Sequence, residues 1–570
     1  MPPAGRPAGP LPPVEPLVDR EDALDRAAGS PLDVLIIGGG ITGAGIALDA
    51  VSRGLTVALV ERADLASGTS SRSSKLVHGG LRYLEQREFG LVHEAVRERN
   101  LLRQIAPHLV RPLGFAIPVA DRTDRWLMRA GLTIYDAMAF GRNVRSHRAL
   151  DIADLLTSVP GLVNGIGLGG FRYYDCQTDD ARLTLAVIQT ARRLGALVVN
   201  HAEAVGFLRF GDRVVGATIR DRLTGDELDV TARWVVSATG VWADRVRDMT
   251  RDEERPLLTP SVGIHLTFPR QVVRVRDAAL IPSAADDGRR IFVIPWGDQV
   301  IVGTTDESYV GDIDAPTVSA PHAGYLLHAV NWSFGTNLTL ADTLGAWAGL
   351  RPLLRGRAET AASADLSRRH AIFEEPAGLI TVTGGKLTTF RKMAEDVVDR
   401  IVAAGGAKAE CITDRLPIGL RERVDDALAG LQEVCKILDV DPFLAGSLLH
   451  RHGTEAAAVA VFCVEHGESD RLLPHLPYLR GEVRWAAQRE LARTLDDVLQ
   501  RRLRVSLRDR AAGGDAARWA VRAFGQERGW NGERCDAELQ SYIAAVERER
   551  GIVPVDKAWL DAPAEAGQTA

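Results

Sequence analysis

Cysteine is scarce: the 570-residue chain has five, Cys176, Cys411, Cys435, Cys463 and Cys535, with no CxxC pair and no histidine at metal-ligand spacing. A disulfide scaffold and a structural zinc are excluded, and no metal is expected; the pattern points to a reducing compartment. Long apolar runs are also missing. Stretches such as 456–464 fall far short of the roughly 20 residues that span a bilayer, so the chain is expected not to cross a membrane, with contact at a membrane surface left open. A net charge of −6 gives no basic field for nucleic acid, so none is expected as a partner. Hydrophobic residues at 46% and charged residues at 25% exclude fibrous and disordered proteins. Residues 1–30 are rich in Pro, Ala and Gly and lack the apolar centre of a signal peptide; they read as a disordered tail.

Residues 32–37 form a continuous apolar run ending in glycines, the pattern of a buried parallel strand, and 56–60 repeat it after an apolar helix. Between them Gly38-Gly39-Gly40-Ile41-Thr42-Gly43 fits the G-x-G-x-x-G of a dinucleotide site. The first glycine makes the turn, the second admits a pyrophosphate, the third lets helix pack on strand, and the helix start faces the phosphates. Glu61 follows at the distance of a ribose ligand. Strand-like runs at 196–199, 234–237 (closing on Ala238-Thr239-Gly240) and 379–382 (running into Gly384-Gly385) suggest that distant stretches return to the same sheet, which favours FAD over NAD.

Two β-rich runs, 290–296 and 300–304, joined at Gly297-Asp298, read as an antiparallel hairpin in an inserted subdomain. Beyond about residue 405 the pattern is helical, with residues 484–504 carrying an apolar stripe (Leu491, Leu495, Val498, Leu499). The expected organisation is an α/β fold with a two-layer, Rossmann-like FAD domain, an interleaved antiparallel-β substrate subdomain and a helical C-terminal domain. FAD segments fall at about 32–110, 190–255 and 370–405, the substrate subdomain at about 111–189 and 256–369, helices at 406–550 and a tail at 551–570.

The stretch Thr69-Ser70-Ser71-Arg72-Ser73-Ser74-Lys75-Leu76-Val77-His78-Gly79-Gly80-Leu81-Arg82-Tyr83 resembles the signature of FAD-dependent glycerol-3-phosphate dehydrogenases. So do Phe292-Val293-Ile294-Pro295-Trp296, Gly303-Thr304-Thr305-Asp306, Gly349-Leu350-Arg351-Pro352-Leu353 and Gly384-Gly385-Lys386-Leu387-Thr388-Thr389, an ordered series reaching into the C-terminal helices. The resemblance implies oxidation of sn-glycerol 3-phosphate to dihydroxyacetone phosphate by hydride transfer from C2 to flavin N5. Electrons would pass to a membrane quinone from a cytoplasmic, peripherally bound enzyme.

For FAD it implies, besides the glycines and Glu61, contacts from Arg62, Thr69, Ser70, Ser71, Ser74, Lys75, Leu76, Thr239, Gly240, Gly385, Lys386, Leu387 and Thr388. A phosphomonoester needs cationic donors, and Arg82, Arg351 and Arg368 with Lys386 and Tyr83 are the candidates. His78 and His265 are candidates for the C2 hydroxyl proton, with Arg351 and Lys386 beside them as catalytic residues. The family pattern has a basic residue shortly before this second histidine, where Val262-Gly263 stands here. Residues 122–138 place Trp126, Leu127, Ala130, Ile134 and Met138 on one helical stripe and Arg122, Arg125 and Arg129 on another side, suited to a membrane surface. An oxidase using O2, a related amine-oxidising flavoenzyme, an FAD-dependent binding protein and a homodimer all stay open.

Overall fold

The computed structural model describes residues 16–81, 83, 88–139, 143–250, 256–283, 287–355, 370–405 and 410–560. The apolar run Leu32–Ile37 is the centre of the first sheet, flanked in parallel by Val57–Val60 and Glu227–Ser237. Leu197–Val199 extends one side; Leu379–Gly384 and the antiparallel edge His370–Glu374 extend the other. Strand alternation divides its core. Val34 and Ile36 meet the helices Ile41–Ser52, Asp180–Arg193 and Phe390–Gly405, while Leu35 and Ile37 face the opposite layer. The strand ends therefore converge on one edge, where ligands of such sheets bind.

The second sheet is largely antiparallel and contains the expected hairpin Arg290–Trp296 with Gln299–Gly303, turning at Gly297. Ser261–Pro269 runs between Gln299–Gly303 and Gly345–Arg351. One face packs on the helix Ala320–Phe334, the other on Phe89–Ile105 and Arg122–Met138.

Four expectations are corrected. The second half of the supposed tail is a helix, Arg20–Gly29, with Ala23, Leu24 and Ala27 in the core of the first sheet. Its Arg20 is buried and donates to Asn200 O and to both carboxylate oxygens of Asp221, each at 2.8 Å. Residues 180–189, assigned to the substrate subdomain, belong with 190–193 to one helix packed on the first sheet. The helical stripe expected over 484–504 is interrupted: Glu482–Arg489 ends, Leu491 and Arg504 adopt positive φ of 58° and 60°, and a π-helical turn, Asp497–Arg502, lies between. The break lets Arg501 and Arg502 reach Asp64, and Arg504 reach Asp179 and Asp180, so docking overrides the local pattern. Finally, the C-terminal tail starts later than residue 551, because Val553 and Trp559 are buried.

Candidate active site

At the end of Leu32–Ile37 the backbone itself makes the cradle. Gly38 has φ of +115°, and a Cβ on it would lie 2.6 Å from Ala238 O; a Cβ on Gly43 would lie 1.9 Å from Gly38 O. Only glycine permits both the turn and the contact of helix with strand. Glu61 receives hydrogen bonds from the amides of Gly39 at 2.7 Å and Ala63 at 2.9 Å. Burial pushes its carboxyl up, while those amides pull it down. Ser70 Oγ accepts from the amide of Ile41 at 2.9 Å, tying the serine loop to the helix start. A Cβ-free strip of backbone next to a helix N-terminus, with a carboxylate beyond it, fits a dinucleotide diphosphate and ribose.

This strip lines a cavity of about 760 Å³. Of the residues expected on the cofactor, Gly38, Gly40, Thr42, Glu61, Arg62, Thr69, Ser70, Ser74, Leu76, Thr239, Gly240, Gly385, Lys386, Leu387 and Thr388 line it. Gly39 and Gly43 support it from behind. Two expectations fail here. Ser71 is turned inward toward Gly68 O, and Lys75 is fully buried, with its ammonium 3.0 Å from Asp180 Oδ1 and over the Trp347 ring at 4.8 Å. A positive φ of 59° at Lys75 directs the chain so that its side chain enters the core rather than the cavity.

The loop containing His78 is stitched to the strand end after Gly385: Thr388 Oγ1 accepts from His78 N and donates to His78 O, both at 3.1 Å. Lys386 Nζ stands 3.6 Å from the centroid of the Tyr83 ring. From the second sheet come His265 and Arg351. Nε2 of His265 is 2.8 Å from Ser74 Oγ, and its ring stacks on Trp347 with centroids 4.9 Å apart. Burial, then the charges of Arg351 and Lys75, hold the imidazole far below its usual pKa, so it is neutral at pH 7. His78, Tyr83, His265, Arg351 and Lys386 all line this cavity. Arg82 and Arg368 lie outside the described residues.

Sequence reasoning missed two groups. Asp314, on a loop beyond the second sheet, reaches the first: its carboxylate accepts from Trp242 Nε1 at 2.7 Å and from Arg245 at 2.9 Å, and also holds Arg62, whose guanidinium covers the Trp242 ring at 4.6 Å. Partial burial pushes this carboxyl up, but the bonds from Arg62 and Arg245 hold it at about 2. The C-terminal module contributes Thr494, Asp496, Asp497, Arg501 and the helix Gly532–Arg550 through Arg534, Glu538 and Ser541. No local motif marks these positions. The grouping of Asp64, His201 and Asp497 has metal-like spacing, but Arg501 and Arg502 already neutralise Asp64.

Residues 33–418 match the family model described as FAD dependent oxidoreductase, and 401–535 match that of the C-terminal domain of alpha-glycerophosphate oxidase. The glycerol-3-phosphate dehydrogenase of Mycobacterium leprae is 40% identical over 93% of this chain and 90% of its own. The mitochondrial enzyme of that name from Arabidopsis thaliana is 37% identical over 91% and 87% respectively. The crystal structure of the Bacillus halodurans glycerol-3-phosphate dehydrogenase complexed with FAD superposes with a TM-score of 0.78 at 29% identity, over 93% of this chain and 97% of that one. With glycine backbone, Glu61 and cationic wall all present along one cavity, this chain belongs to the FAD-dependent oxidoreductases, among the glycerol-3-phosphate dehydrogenases.

Proposed function

We propose that the chain oxidises sn-glycerol 3-phosphate to dihydroxyacetone phosphate. The observation that carries this reading is the meeting of Arg351 and Lys386 with two histidines in the cavity of the dinucleotide cradle. Bound FAD supplies the hydride acceptor for the hydrogen on C2. Arg351 and Lys386, with Arg82 and Arg368 as further cations, bind the phosphate, and Tyr83 closes the wall beside Lys386. The C2 hydroxyl proton goes to an imidazole. Burial beside Arg351 and Lys75 opposes charge on His265, which favours His78 as acceptor and leaves His265 to orient the Ser74 hydroxyl.

Among the described residues no helix is long and apolar enough to cross a membrane. The helix Arg122–Met138 nonetheless leaves Trp126 68%, Leu127 57% and Ile134 44% exposed, while Leu132 and Tyr135 face the core. Arg122, Arg125 and Arg129 are exposed with them. This arrangement supports peripheral contact with the cytoplasmic face of an anionic membrane, and with it transfer of electrons to a membrane quinone. Co-sedimentation with anionic vesicles tests the contact, and its loss in Trp126→Glu would place it on this helix.

Anaerobic addition of glycerol 3-phosphate to the yellow holoprotein tests the reaction. Rapid bleaching of the flavin band, absent with glycerol or glycine, is the expected result. No bleaching would send the assignment to the amine-oxidising or binding alternatives. Peroxide formed under air would make O2 the acceptor in place of quinone.

A further inference from the structure

Arg351 does not simply project into the cavity; it is laid across a neighbouring strand. Ser261–Pro269 pairs with Gly345–Arg351 so that Ser261 is opposite Arg351 and Gly263 opposite Gly349. The guanidinium folds back over Gly263. A Cβ there would lie 2.3 Å from Nη2, 2.7 Å from Nη1 and 2.4 Å from Thr304 Oγ1, so any side chain at 263 would displace the arginine. On this floor Nη2 donates to Thr304 Oγ1 and Thr305 O, both at 3.1 Å.

The other terminal nitrogen is held differently. Nη1 is 3.3 Å from Ser261 Oγ and 3.4 Å from Asp306 Oδ1, while Ser261 Oγ donates to that same oxygen at 2.6 Å. A committed arginine–carboxylate bond is about 2.7–2.9 Å. The serine therefore occupies the carboxylate and holds it off the guanidinium. Asp306 is 6% exposed, and neither it nor Ser261 lines the cavity, whereas Arg351 and Gly263 do. Together these acceptors fix the plane of the guanidinium, with the buried carboxylate setting the charge beside it.

We propose that Asp306 is a positioning residue, which with Ser261 and Gly263 presents Arg351 to the anionic substrate through a deliberately loose ion pair. The proposal rests on the reading that Arg351 binds that substrate. Removing the charge of Asp306 takes away the ionic one of these anchors, so the arginine is aimed less well, which costs rate at saturation. Removing the Ser261 hydroxyl lets the carboxylate close on Nη1 and compete with the substrate, which costs affinity.

Anaerobic stopped-flow reduction of the holoenzyme by glycerol 3-phosphate separates the two quantities. Asp306→Asn should lower the limiting reduction rate about tenfold with half-saturation changed by less than about threefold. Ser261→Ala should raise the half-saturation concentration about tenfold with the limiting rate kept. Wild-type constants in both variants, with reduction strongly impaired in Arg351→Ala, would overturn the positioning role alone. Undiminished reduction in Arg351→Ala would overturn the reading beneath it as well. Flavin content and the visible spectrum report folding. If Asp306→Asn emerges without flavin, Gly263→Ala decides: it is expected to lose rate as displaced Arg351 would, and an unchanged rate overturns the proposal.

Discussion

In the nucleotide cradle, Gly38, Gly40, Thr42 and Glu61 follow one another along a single strand, turn, helix and strand, and the contacts offered are mostly backbone. In the substrate wall, Ser74, His265, Arg351 and Lys386 come from distant stretches on two sheets, and the contacts offered are side chains held by other side chains. A backbone cradle tolerates no added atoms but asks little of its neighbours. A side-chain wall tolerates small changes yet depends on residues that never meet the ligand.

The cradle should break completely. Gly43→Val places carbon 1.9 Å from Gly38 O, so the purified protein is expected to be colourless; full flavin occupancy would show that the strand and helix can separate without loss. The wall should break in function alone. Arg351→Ala is expected to keep its flavin and to reduce kcat/KM for glycerol 3-phosphate by about 10²–10³-fold, through loss of a charged bidentate donor. Loss of flavin in this variant would erase the distinction between the two regions.

The buried ion pairs that fasten the C-terminal module and hold it together internally come next. Glu490 accepts from Arg182 at 2.6 Å and Glu482 accepts from Arg451 and His452, all buried. Glu490→Gln should cost about 3–5 kcal/mol in denaturant unfolding because Arg182 stays buried without its counter-charge. Buried histidines and Glu482 predict acid sensitivity in two steps. Burial, then Arg111, keeps His108 at about 4 and His450 at about 3. Below roughly pH 6.5 the unfolded chain takes up these protons and the folded one does not, so stability falls with pH. Burial pushes Glu482 up, but Arg451 and His452 hold it at about 2, so its contribution is present above roughly pH 4.3 and is lost as pH falls toward 2. Unfolding free energies measured from pH 8 to pH 3 would check both steps; a flat profile would refute them.

The smallest effect is expected at Asp314, where an exposed carboxylate bridges the two sheets over the cavity. Asp314→Asn should speed FAD dissociation only about two- to fivefold, as exposed ion pairs contribute little, with the difference vanishing at high salt.

The glycine fingerprint and its carboxylate were legible because a backbone site is written in consecutive residues. The hairpin at Gly297 was legible for the same reason, since turn and strands are local. The helix at 20–29 was not, because its few apolar residues make sense only against the sheet that buries Arg20 beside Asp221. Lys75 illustrates the same limit within a motif: its neighbours Ser74 and Leu76 line the cavity, while its own side chain enters the core to meet Asp180. Gly263 is stranger still. In sequence, Val262-Gly263 stands where the family pattern has a basic side chain; in the fold, Gly263 is the space that Arg351 occupies. The sequence by itself determined the dinucleotide cradle and the family series of motifs, both functions of near neighbours. Only the tertiary structure decided which cations face the cavity, which carboxylate steadies Arg351 and how the C-terminal helices reach the site, because those depend on register between strands and on buried charges finding their partners across the fold.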